Sequence, residues 1–172
     1  MKYVPTIRQA SIFSEPYRYI IDACSIISQN PNGTYSRDVN IGLWNEIDAL
    51  VKRREIVTCK QIADEVLSGK RSDPAKEWVE SSGICVLVED EFVQRKVREV
   101  VNRTPDLLRF KTTRNSSSGD AFIIATAIDY GLTIITEEKR SSPIKIPQVA
   151  ERFGVKSLSI MGLAQSAGWT FD

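Results

Sequence analysis

The stretch Tyr19-Ile20-Ile21-Asp22-Ala23-Cys24-Ser25 runs three bulky, strand-favouring residues straight into a carboxylate. That is the pattern of a short buried strand ending at the rim of a sheet. In open α/β sheets, chemistry collects beyond the carboxyl ends of the strands, where the strand order reverses. A lone Asp after a strand has a plainer role as the cap of the next helix. A functional reading of Asp22 therefore depends on whether other acids converge on it.

Working outward, the chain alternates short apolar runs with helical periods. Residues 1–18 carry no pattern and form an N-terminal arm, expected to pack on the body or on a partner. Asn30-Pro31-Asn32-Gly33 marks a turn. Apolar spacing predicts a helix over about 41–53, with Trp44 and Ile47 in its core stripe. Glu55 to Cys59 reads as a strand, followed by a helix from Lys60 to Leu67 that carries Asp64 and Glu65. Asp73-Pro74 opens a further helix, Ile84 to Val88 is a third strand, and a charged helix covers about 89–102. The polar stretch from Thr104 to Gly119 reads as a loop. Asp120 then opens the most apolar helix in the chain, expected at the centre of the molecule. Leu132 to Thr136 is a strand with Glu137-Glu138 at its carboxyl end. A helix over about 147–153, a short strand within 155–160 and a last helix over about 161–167 complete the order. Strands alternating with helices imply parallel pairing with right-handed crossovers. The expectation is one domain over 19–172, a three-layer, Rossmann-like α/β fold with four to five parallel strands.

Composition narrows the chemistry. The 172 residues, 42% hydrophobic and 26% charged, suit a single globular domain. A net charge of +1 gives no global sign of nucleic-acid binding. The three cysteines have no CxxC spacing and read as buried thiols of a reducing, cytoplasmic setting. No apolar run is long enough to span a membrane and no signal peptide is evident. The chain has no histidine at all, which excludes Ser-His-Asp and Cys-His nucleophiles and imidazole-ligated zinc hydrolases.

Carboxylates are left to carry any catalysis. Asp22 and Glu138 end parallel strands and so share a rim, with Glu65 on the helix leaving the second strand and Asp120 in the first turn of the apolar helix. Clustered carboxylates repel unless a cation neutralises them, and acidic oxygens suit Mg²⁺ or Mn²⁺. Such a site activates water and stabilises phosphoryl charge without histidine.

The series Ile21-Asp22-Ala23-Cys24-Ser25, Ala63-Asp64-Glu65-Val66, Gly119-Asp120-Ala121-Phe122 and Ile134-Ile135-Thr136-Glu137-Glu138 resembles the PIN-domain ribonucleases, over about 19–165. The segments Trp44 to Trp78 and Ile144 to Val155 are similar to the VapC-like toxin branch. The resemblance implies a metal-dependent endoribonuclease, the toxin of a toxin–antitoxin pair, with RNA as substrate, a small antitoxin as partner and a homodimeric state. It assigns catalytic and metal-ligating roles to Asp22, Glu65, Asp120 and Glu138, with Asp64 and Glu137 as alternatives to their neighbours. Glu138 departs from the Asp usual at the fourth position, which favours a one-metal site. Ser25 and Thr136 become supporting hydroxyls. In such toxins helices near the N-terminus form dimer and antitoxin surfaces, which makes the exposure of Leu43 and Ile47 informative.

From Arg95 to Arg114 seven basic residues face two acidic ones, and Lys139 and Arg140 follow Glu138. Such a rim attracts a phosphate backbone. Arg114 and Lys139, nearest the acids in sequence, are the expected phosphate contacts, while Arg95 to Arg98 read equally well as a solvated helix face. Asp38, Glu46, Asp48 and Asp129 lie off the rim and read as surface or capping acids. Three rivals compete with the nuclease reading. A haloacid-dehalogenase-like phosphohydrolase wants a second Asp where Cys24 stands. A receiver domain wants an early acid pair and a late lysine. A PIN-like binding module would have lost activity.

Overall fold

The computed structural model describes residues 2–4, 16–69, 73–105, 107 and 119–171. From β2 (Tyr19–Ile21) the chain passes through α1 (Ala23–Ile27) and α2 (Ile41–Lys52) to β3 (Ile56–Cys59). Next come α3 (Lys60–Leu67), α4 (Pro74–Ser81) and β4 (Cys85–Leu87). The charged α5 (Glu91–Arg103) and apolar α6 (Gly119–Tyr130) lead to β5 (Thr133–Ile135), followed by α7 (Ile146–Arg152), β6 (Ser157–Leu158) and α8 (Ile160–Ala167). Ahead of all these lies a strand that periodicity does not reveal, β1 (Lys2–Val4).

The strands form one parallel sheet in the order β1-β4-β3-β2-β5-β6, flanked by helices in a three-layer, Rossmann-like α/β arrangement. The sheet therefore has six strands among the described residues, one more than the upper sequence expectation. The extra one comes from the N-terminal arm, where Lys2, Tyr3 and Val4 register against Cys85, Val86 and Leu87. Three residues are too few for an alternating pattern to show, so only the partner strand identifies them.

The chain steps from β2 to β3 to β4, then returns across β2 to place β5 on its other side. The reversal falls between β2 and β5, whose residues pair Tyr19 with Thr133 and Ile21 with Ile135. Asp22 and Thr136 are the first residues past that pair. β3 and β4 are buried along their whole length, as expected of strands covered on both faces. α6 buries Ala121 and the run Ile123 to Ala127, and packs on α5, α3, α7, β3 and β5. The expectation of a central apolar helix holds.

Leu43, Trp44 and Ile47 lie inside the core, so the α2 stripe is not a docking surface. Val39 and Ile41 are exposed at that end and line a groove together with exposed Met161 and Phe171. Asp48 departs from its expected surface role. It accepts both arms of Arg37, at 2.8 and 3.1 Å, and the Trp78 indole N–H at 2.7 Å. Trp78 in turn meets Trp44 edge to face. No helix among the described residues is long and apolar enough to cross a membrane.

Candidate functional site at the sheet switch point

Asp22 combines the plain role and the special one. It caps α1, its Oδ1 accepting the Ala23 N–H at 2.8 Å, as a residue between a strand and a five-residue helix should. Its Oδ2 faces β5, accepting from the Cys24 thiol at 2.8 Å and from the Thr136 hydroxyl at 3.0 Å. Thr136 Oγ1 also accepts the Glu138 N–H at 3.2 Å, and Cys24 Sγ accepts the Glu137 N–H at 3.3 Å. The end of β5 is thereby wrapped around the end of β2. Asp22 is only 5% exposed. Burial pushes its carboxyl up to about 6, the charges of Asp120 and Glu138 push the same way, and the Cys24 and Thr136 hydrogen bonds oppose them.

The Thr136 hydroxyl thus touches the Asp22 carboxylate, whereas the Ser25 hydroxyl touches none of the acids. The Ser25 hydroxyl is fully buried and finds no hydrogen-bond partner among the described residues. The carbonyl one turn back, that of Ile21, receives the Thr58 hydroxyl at 3.0 Å instead. Cys24 supplies the second donor to Asp22. Burial and the adjacent Asp22 charge drive its thiol far above the ordinary range, so it serves as a neutral donor.

The two glutamates after β5 part company. Glu137 turns to α8, its Oε1 accepting the Ile160 N–H at 2.6 Å. Glu138 stays at the rim, where its charge is felt at Asp22. Its Oε2 accepts the Ile146 N–H at 2.8 Å and so caps α7, while its Oε1 pairs with the Lys145 ammonium. Lys145 is held above its usual range first by the Glu138 hydrogen bond, with the charges of Glu138 and Asp120 adding to it and burial opposing it. Asp22, Asp120, Glu138 and Lys145 therefore form one electrostatic group.

Asp120 sits in the first turn of α6, half-buried. On α3 the buried stripe is Ile62, Ala63 and Val66. Glu65 borders that stripe and is half-buried, whereas Asp64 lies on the far side, exposed and paired with Lys60. Of the two, Glu65 is the residue whose placement suits a site. α3 also packs on α1 and α6, the helices next to Asp22 and bearing Asp120.

Of the expected phosphate contacts, Arg114 lies outside the described residues and Lys139 is exposed beside Glu138. Arg140 is turned to β6, donating to the Ser157 carbonyl at 2.8 Å. On α5, Lys96 and Arg103 both pair with Glu99, and Arg95 stacks on Phe92, so that stretch behaves as a self-paired helix face.

Sequence reasoning missed Lys145 and the donor role of Cys24. A signal for Lys145 exists. It holds the cap position before a helix with Pro in its first turn, a place where lysine is a poor cap. A charged residue there implies that another group does the capping.

The donor set fits a hard cation in its chemistry. A buried carboxylate whose ionisation two other carboxylates oppose gains from a divalent ion, and oxygen ligands suit Mg²⁺ or Mn²⁺. Among the described residues no three acid or thiol groups yet stand within common reach of one ion. Both Glu138 oxygens are engaged, one by the Ile146 N–H and one by the Lys145 ammonium.

The model of a family described as a domain of unknown function, DUF4411, matches residues 19–171. No curated protein matches the chain.

Proposed function

The chain belongs to the DUF4411 family, and we propose that its site is that of a divalent-metal-dependent endoribonuclease of PIN-like, VapC-like type. The observation that supports this reading is a buried Asp22 at the sheet switch point, with the charges of Asp120 and Glu138 both opposing its ionisation. A sheet of this kind binds its ligands at that point.

Asp22, Asp120 and Glu138 would hold Mg²⁺ or Mn²⁺, with Glu65 approaching from α3. When bound, the ion supplies an activated water and charge stabilisation at a phosphoryl oxygen. The chain's own residues orient and exclude. Thr136 and Cys24 fix the Asp22 carboxylate in one rotamer, and the apolar packing of β2 and β5 keeps water from its inner face. Exposed Lys139, next to Glu138 in the chain, would attract a phosphate backbone. RNA is the proposed substrate, and a toxin role in the cytoplasm, with a small antitoxin and a second copy of the chain as partners, follows from the same resemblance.

An aspartyl phosphohydrolase is disfavoured by Cys24, whose thiol is a neutral donor where an acid–base carboxylate is required.

The test is RNA cleavage with Mg²⁺ or Mn²⁺ by the wild type, Asp22→Asn and Asp120→Asn. Loss of cleavage by at least about a hundredfold in both variants is expected, a scale typical of removing a preorganised charged group from a site. Equal cleavage by all three overturns the assignment, and so does equal growth inhibition on expression. A covalent adduct of Asp22 with a phosphate mimic would favour the phosphohydrolase instead.

A further inference from the structure

The positive charge at the acidic rim belongs to the chain itself. The Lys145 ammonium pairs with Glu138 Oε1, and its charge is also felt by that of Asp120. Capping does not require this contact. The Ile146 N–H is satisfied by Glu138 Oε2 alone, and Lys145 makes no side-chain cap bond of its own. Nor is Lys145 confined, because nearly half its side chain is exposed and a path to solvent is open. A partly exposed ammonium that turns to Glu138 with solvent open to it is held there by the carboxylate's charge. As long as it pairs with Oε1, a second cation approaching Glu138 meets the ammonium's charge at that oxygen and the Ile146 N–H at the other.

We infer that Lys145 is the resident counter-ion of this site, and that a divalent cation enters by exchange with its ammonium at Glu138. This rests on the metal-site reading above. The exchange makes Glu138 a ligand only in the loaded protein, and Lys145 the group released toward the substrate side.

Two measurements on the full chain test the exchange. The first is Mn²⁺ affinity by calorimetry for the wild type, Lys145→Gln, Lys145→Arg and Asp22→Asn. The expected result is binding about tenfold tighter for Lys145→Gln, near wild type for Lys145→Arg, and abolished for Asp22→Asn. The second is amine labelling of Lys145 in the wild type, mapped by mass spectrometry. Saturating Mg²⁺ is expected to speed it several-fold, because the side chain leaves Glu138. This second arm needs no variant to fold.

Unchanged affinity in Lys145→Gln overturns the inference while leaving the metal site standing. Tighter binding with Lys145 labelling unchanged or slowed also overturns it, since the lysine then acts by its charge from where it remains. No Mn²⁺ binding by any of the proteins, or binding that survives Asp22→Asn, overturns the metal-site reading and the exchange with it.

Discussion

At the scale of single residues, Asp22 costs the fold stability at neutral pH. Its carboxyl titrates near 6 when folded against 3.8 in its ordinary state, chiefly because it is buried. Between those values the folded chain keeps a proton that the unfolded chain releases. Stability therefore falls as pH rises from about 4 to 6, then levels off. The shift corresponds to about 3 kcal/mol at neutral pH. Asp22→Asn keeps a competent helix cap and removes the buried charge. In metal-free buffer at pH 7.5 its melting temperature is expected to exceed that of the wild type, with the gain vanishing below about pH 4. Mg²⁺ is expected to raise the wild-type melting temperature and leave the variant unmoved. A variant less stable than wild type at pH 7.5 would show that the cap and its hydrogen bonds outweigh the buried charge.

At the scale of elements, helix ends set where the functional side chains stand. α6 must stop one residue short of Leu132 so that β5 can start beside β2. Gly131 makes that stop with φ of +68°, and the Leu132 N–H closes on the Ala127 carbonyl at 2.9 Å. An added Cβ there would meet nothing within 4 Å, so the cost of Gly131→Ala is backbone strain alone. About 1 kcal/mol is expected, read as a lower urea midpoint with an unchanged slope. At the other end of the crossover, Glu137 and Glu138 serve the N-termini of α8 and α7. Both glutamates lie just past β5 and each is claimed by a different helix, so one is carried away from the rim and the other kept on it.

At the scale of the whole molecule, ties between distant elements hold the layers in register. Asp48 joins α2 to α4 and to the turn that carries Arg37. Asp48→Ala leaves the Arg37 guanidinium and the Trp78 indole without this acceptor. Both pair members are about one-third exposed or less, so water recovers part of the loss. A destabilisation of about 1–2 kcal/mol is expected by thermal or urea unfolding. Little effect on cleavage beyond that loss is expected, because Asp48 lies off the rim. The six-stranded sheet depends on a similar long tie, since β1 reaches β4 across more than 80 residues of sequence.

Local patterns in the sequence determined the order and type of nearly every element from Tyr19 onward. They also placed Asp22 and Glu138 at strand ends and Asp120 in a first turn. Hydrophobic period, capping residues and Gly or Pro stops act within a few residues, so they are legible without a partner. Tertiary structure alone decided what those residues meet. Asp22 and Thr136 are 114 positions apart and touch because β5 returns to the flank of β2. The same return separates Glu137 from Glu138 and recruits Lys145, while packing elsewhere leaves the Ser25 hydroxyl without a partner among the described residues and sets Asp48 among Arg37 and Trp78. The carboxylate at the end of β2 is both a helix cap and the centre of a charged group. Only the strand order brings the other charges to it.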